Sequence, residues 1–137
     1  MSLPRPLPVI DRDNEAFWKG GERGELLIQR CCQCRTYIHP PTGFCPDCES
    51  RVTAYEAVSG RATITSFTIN HKQWIPDLPV PYVLALVTIA EQDDVRLATN
   101  IVDCDPETVR IGMAVKVRFE PAGDLWVPLF APEGNAA

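Results

Sequence analysis

Cys31-Cys32-Gln33-Cys34-Arg35-Thr36-Tyr37-Ile38-His39-Pro40-Pro41-Thr42-Gly43-Phe44-Cys45-Pro46-Asp47-Cys48 decides the fold, because it carries two C-x-x-C pairs. Cys31 and Cys34 form the first pair and Cys45 and Cys48 the second, and the ten residues between them suffice for a short hairpin that returns the chain. Two cysteines three positions apart place both sulfurs on one side of a tight knuckle. Two facing knuckles supply four thiolates at tetrahedral corners, about 2.3 Å from a Zn2+ ion. This is zinc-ribbon spacing. With every position filled by protein, no place is left for an activated water, so the expected zinc is structural and not catalytic. Two alternatives share the ligand set: disulfide pairing, or a single iron as in rubredoxin-like sites.

Upstream, Glu25 to Arg30 reads as a strand that leads into the ribbon. Before it, Asp13 is the expected N-cap of a short helix through Lys19, which Gly20-Gly21 would end. Phe17 and Trp18 form the apolar face of that helix. Exposed on a lone helix they would be a liability, so they are expected to pack on a barrel or on another subunit, which makes both candidate partner contacts. Residues 1 to 10 hold three prolines and no periodic pattern, and read as an extended arm.

Downstream the β signal is dense. Arg51 to Val58 alternates weakly and ends at Ser59-Gly60. In Arg61 to His71 the apolar set shifts phase, from Ala62 and Ile64 to Phe67 and Ile69, which implies a bulge that bends the strand. Tyr82 to Ile89 is a nearly continuous apolar run, so cover is expected on both faces, and Val95 to Ile101 alternates as its returning partner. Asp105-Pro106-Glu107 starts one helical turn. Val115, Val117 and Phe119 form the next strand, and Leu125 to Phe130 closes the set. Pro128 lacks an amide proton, so the last strand should sit at an edge or break there. Together these describe a mainly β fold: a short N-terminal helix and zinc ribbon, then a five-stranded Greek-key barrel of the OB type. The expected units are 1–53 for helix and ribbon, 54–131 for the barrel and 132–137 for a tail.

The chain of 137 residues has 45% apolar and 23% charged residues, ordinary values for a globular domain. Its net charge of −5 is opposite to that of a protein whose main work is neutralising phosphates. No stretch approaches the roughly 18 apolar residues of a membrane span, and the first residues lack the apolar core of a signal peptide, so a cytoplasmic location is expected.

The order of ribbon, Ser59-Gly60-Arg61, Phe67-Thr68, Pro81-Tyr82, Ile111-Gly112-Met113 and Pro128-Leu129-Phe130 resembles the OB-fold proteins with an N-terminal rubredoxin-like zinc ribbon, long labelled a domain of unknown function. The similarity runs from about Phe17 to Pro132. Members of that family accompany thiolase-superfamily enzymes or acyl-CoA hydratases. The resemblance implies a non-catalytic accessory subunit that binds such a partner and helps bind or channel acyl-CoA in lipid, steroid side-chain or polyketide-type metabolism. It also carries the metal-ligand role onto Cys31, Cys34, Cys45 and Cys48. Two positions depart from the family: Arg35 stands where glycine often relaxes the knuckle, and His39 where an aromatic often precedes the double proline.

Other site candidates are fewer. There is no Gly-x-Ser-x-Gly elbow and no phosphate-binding Gly-rich loop. His39 is expected in a supporting or surface role, and Cys32 and Cys104 as buried packing residues. The loop from Asn70 to Pro81 presents Trp74 and Ile75 among prolines, as partner contacts or as a cap folded back on the barrel. Arg61 and Lys72, flanking the first long barrel strand, are the candidate contacts for the phosphates of acyl-CoA. Two other hypotheses compete. A nucleic-acid-binding ribbon and OB module is disfavoured by the acidic balance and few aromatics, and an independent enzyme by the lack of a catalytic constellation.

Overall fold

The computed structural model describes residues 7–74, 76 and 78–133. Residues Leu26–Cys31 (β1), Tyr37–Ile38 (β2) and Thr53–Val58 (β3) form a three-stranded antiparallel sheet in the order β2-β1-β3. β1 and β3 pair from Leu26 opposite Val58 to Cys31 opposite Thr53, so the strand after the second knuckle is hydrogen-bonded to the ribbon's sheet.

A closed barrel follows, in the order β4-β5-β6-β8-β7. Its strands are Arg61–Asn70 (β4), Tyr82–Ile89 (β5), Arg96–Ile101 (β6), Ala114–Ala122 (β7) and Leu125–Pro132 (β8). This is the OB-type barrel that the sequence predicts. The phase shift in β4 is a real bulge: the register against β5 slips between Ile64 and Ser66, leaving Thr65 as the extra residue. Ala62 and Ile64 are buried before it. The helical turn expected between the third and fourth barrel strands is a 3-10 turn, Pro106–Thr108, and the Glu107 amide donates to the Asp105 carboxylate at 3.0 Å.

Three details differ from expectation. β5 buries Val83, Ala85, Val87 and Ile89, but Leu84 and Leu86 point outward and are 48% and 40% exposed. The apolar run is therefore covered on one face only. The helix (α1) is Glu15–Lys19 with Asn14, not Asp13, at its N-cap. Asp11 accepts from the amides of Asp13 and Asn14 and so forms the preceding turn, which takes Asp13 out of the capping position. As expected, α1 ends at Lys19 with Gly20 at its C-cap, and a 3-10 turn, Gly20–Arg23, follows it and closes at Gly24 with φ 71°. Pro128 does not break β8, which pairs with β7 throughout. On its other side β8 meets β6 in parallel, with Ile101 opposite Phe130 the sole ladder pair. That side is the edge-like one.

Ribbon and barrel share their interior. Phe17, Leu26 and Ile28 join the same buried cluster as Ile64, Val87, Val115 and Phe130, while Cys31, Ile38 and Cys45 form a small cluster of their own. Polar contacts reinforce the junction. Gln92, in the β5–β6 turn, accepts from the Tyr37 amide at 2.8 Å and donates to the Tyr37 carbonyl at 2.9 Å. The side chain of a barrel residue thus stands in for a strand partner of β2. Nearby, the Ser59 amide donates to the Glu91 carboxylate at 2.7 Å. The Tyr55 hydroxyl donates to the Asp13 carbonyl.

Candidate metal centre and the adjoining cleft

β1 delivers Cys31, fully buried, to the mouth of the first knuckle. The chain then turns so that the Arg35 amide donates to the Cys31 carbonyl at 3.1 Å, with Arg35 at φ 67°. The second knuckle repeats this: the Glu49 amide donates to the Cys45 carbonyl at 2.8 Å, with Glu49 at φ 65°. Amides aim at the inner sulfurs. Gln33 and Cys34 donate to Cys31 Sγ at 3.3 and 3.4 Å, and Asp47 to Cys45 Sγ at 3.4 Å.

The four sulfurs lie within 4.8 Å of one another. Cys31 and Cys48 approach to 3.5 Å and Cys34 and Cys45 to 3.6 Å, far beyond the roughly 2.05 Å of a disulfide. All four are free thiols. A tetrahedron with metal–sulfur bonds of about 2.3 Å has edges near 3.8 Å, so the cluster is already the size of a zinc site. Hydrogen bonds from the Cys34 amide first, then Gln33 and the neighbouring thiols, hold the Cys31 pKa down to about 6 although burial raises it. At Cys34 the Thr36 amide lowers the pKa, but burial and the other three thiols push it up to about 12. Four thiolates cannot stand this close without a positive charge among them, and a divalent ion supplies it.

The loop between the knuckles is held by Gln29, which is buried. Its amide group donates to the Thr42 carbonyl at 2.7 Å and to the Thr53 hydroxyl at 3.0 Å, and its oxygen accepts from the Thr42 amide at 2.9 Å. Every strong bond its buried side chain needs is made. That loop forms one wall of a cleft of about 550 Å³, with Phe17 and Trp18 of α1 and the outer side of β6 and β8 as the other walls. The cleft opens where β6 and β8 are least joined. Pro128 has no amide to give, and the Thr99 hydroxyl bridges to its carbonyl at 3.0 Å instead. His39 faces Phe17 across 5.1 Å, and burial lowers its pKa below the usual value.

The remaining predicted site residues are scattered. Arg61 pairs with Glu133 at 3.0 Å, while Lys72 lies 4.3 Å from the centroid of the Trp74 ring. They stand at opposite ends of β4, separated by about 30 Å of strand. They do not form one cluster. Trp74 is 66% exposed and does not fold back on the barrel, and Ile75 lies outside the described residues, as do 1–6 and 134–137. Phe17 is buried and Trp18 half-buried against it. Cys32 is exposed rather than packed, because it sits on the outer side of the knuckle, and Cys104 is half-buried. Sequence reasoning missed Gln29, Gln92, Thr99 and the cleft. Their telling partners, Thr42, Tyr37 and Pro128, lie 13, 55 and 29 positions away, beyond any local pattern.

The family model for the ChsH2 rubredoxin-like zinc ribbon domain matches residues 18–54, and that for the ChsH2 C-terminal OB-fold domain matches residues 55–120. A probable enoyl-CoA hydratase alpha subunit of Thermomonospora curvata is 36% identical over 129 residues, or 93% of this chain, and the chain spans 40% of its length. A DUF35 domain-containing scaffold protein of Methanocaldococcus jannaschii is 35% identical over 72% of this chain and 70% of its own. Among solved structures, a chain of the Ltp2-ChsH2(DUF35) aldolase superposes with a TM-score of 0.83 at 35% identity, covering 92% of this chain and 98% of that one. Among the described residues, no helix is long and apolar enough to cross a membrane.

Proposed function

We infer the function from one premise: the chain belongs to the DUF35 family, as a ChsH2-type rubredoxin-like zinc ribbon joined to an OB-fold domain. On that premise it is a non-catalytic accessory subunit of an acyl-CoA-processing enzyme. The observation that carries this is the match to 98% of a chain in an aldolase assembly, beside relatives named as a hydratase alpha subunit and a scaffold protein. The partner is a thiolase-superfamily enzyme, an aldolase of related use or an acyl-CoA hydratase, and the bond-making chemistry stays on it. This chain contributes binding surface, while the ribbon zinc holds the β1–β3 sheet in shape against the barrel of β4 to β8.

Trp18 and the exposed Trp74, with Ile75, are the proposed partner contacts. Phe17, being buried, supports Trp18 edge-on from behind, with ring centroids 4.9 Å apart. Lys72 and Arg61 stay the proposed phosphate contacts, each at its own end of the barrel. Lys72 has the better position, since β4 ends at Asn70 opposite Tyr82, two residues along β5 from Leu84 in the cleft.

Native co-purification with a mild affinity tag tests the proposal. A thiolase-like, aldolase or hydratase protein recovered at a fixed ratio supports it. Recovery of nucleic acid, or turnover of an acyl-CoA by the isolated chain, overturns it.

A further inference from the structure

The cleft has a chemistry of its own. Among the described residues no lysine, arginine or carboxylate lines it, and Phe17, Trp18, Leu84, Leu129 and the two prolines of the loop make its walls mainly apolar. These walls offer a charged occupant nothing in return for its hydration, so they suit a neutral one. The volume of about 550 Å³ falls within the range of roughly 300–1,000 Å³ usual for small-molecule sites.

Among the described residues, the polar side chains on its surface are already engaged, with one exception. The Thr99 hydroxyl donates to the Pro128 carbonyl, and the Asn100 amide group to the Val83 carbonyl at 2.9 Å. The Asn14 side chain donates to the Val9 carbonyl and accepts from the Asp11 amide. His39 differs. Among the described residues its imidazole touches the Phe17 ring and has no hydrogen-bond partner, although it is largely out of water. A neutral imidazole offers one N–H donor and one bare acceptor nitrogen, the complement of a carbonyl or a hydroxyl.

We propose that this cleft binds a neutral, mainly apolar small molecule bearing a carbonyl or hydroxyl group, with His39 as its polar anchor. The ribbon sets the site. His39, Pro40 and Pro41 lie between Cys34 and Cys45, and Gln29 fixes the adjacent Thr42 from two residues before Cys31. Metal loading and ligand binding are therefore linked, each raising the retention of the other. The inference holds whether or not the partner acts on acyl-CoA.

The test titrates the zinc-loaded full chain with the neutral fluorophore N-phenyl-1-naphthylamine and displaces it with 2-decanone. Expected is saturable one-to-one binding. Ala98→Trp, which fills the cleft from the outer face of β6, weakens it at least about tenfold with zinc content and circular dichroism unchanged. His39→Phe keeps an aromatic ring but lowers the affinity for 2-decanone relative to the fluorophore by about five- to tenfold, the worth of one hydrogen bond. Gln29→Leu, with all four cysteines intact, weakens both ligands, and added ligand slows zinc loss to a chelator. Non-saturable binding, indifference to Ala98→Trp, or an unchanged ligand ratio in His39→Phe overturns the proposal. So does a dimer by light scattering that Ala98→Trp converts to monomer, since the occupant is then a second copy. Stoichiometric displacement of the fluorophore by a co-purified protein likewise makes the cleft a protein interface and overturns it.

Discussion

Gly21 is fixed by space. A Cβ there would collide with Trp126 Cβ and come within 2.6 Å of Phe119 Cδ1, so the turn after α1 seats on the β7–β8 hairpin only because this position has no side chain. Gly21→Ala should cost about 1–3 kcal/mol in urea unfolding, the usual cost of overpacking. The knuckles show the reverse. Glu49 occupies the left-handed region at φ 65°. Glycine carries no penalty there, so Glu49→Gly should raise stability by about 0.5–1 kcal/mol after its greater freedom in the unfolded chain is subtracted. Arg35, at φ 67°, is a less clean test because its guanidinium also pairs with Glu56 at 3.0 Å. His39 makes stability depend on pH. Its folded pKa lies below the ordinary 6.5, so the unfolded chain takes up the proton first as pH falls. The stability it contributes is full above 6.5 and drains away as pH drops from there through the lower folded value. Denaturation midpoints of the wild type should therefore fall across that window more steeply than those of His39→Phe.

At the scale of elements, the ribbon was legible in the sequence because its determinants are local. The two C-x-x-C pairs lie within 18 residues, and Arg35, which stands where the family often has glycine, takes a φ of 67°. Cys45→Ser should remove the metal, measurable as loss of about one equivalent of zinc on elemental analysis. The β4 bulge was legible too, since a change of phase in an alternating pattern has one geometric meaning. β5 was not. A continuous apolar run cannot say which face is inside, and Leu84 and Leu86 remain outside once the barrel closes. Nor could sequence show that Gln29 is the buried brace of the inter-knuckle loop, for its role exists only when Thr42 and Thr53 are brought beside it.

For the whole molecule, the question is how two small units stay together. They share a core through Phe17, Leu26 and Ile28, and they meet at Gln92, a residue that no sequence pattern marked. In the wild type, metal release and barrel unfolding should follow one urea transition. Gln92→Ala leaves the Tyr37 carbonyl and amide without that partner at a cost of about 1–3 kcal/mol, and should bring metal release to lower urea than loss of barrel structure. Coincident transitions in that variant would show that the shared core alone holds the units. The same contact has a second consequence. Within β2 the Tyr37 amide turns away from β1 and is held by a side chain of the barrel. Opening of the ribbon's own sheet does not free it, but parting of ribbon from barrel does. Deuterium uptake at this single proton therefore counts how often the two units separate, a clock written into the junction by one glutamine.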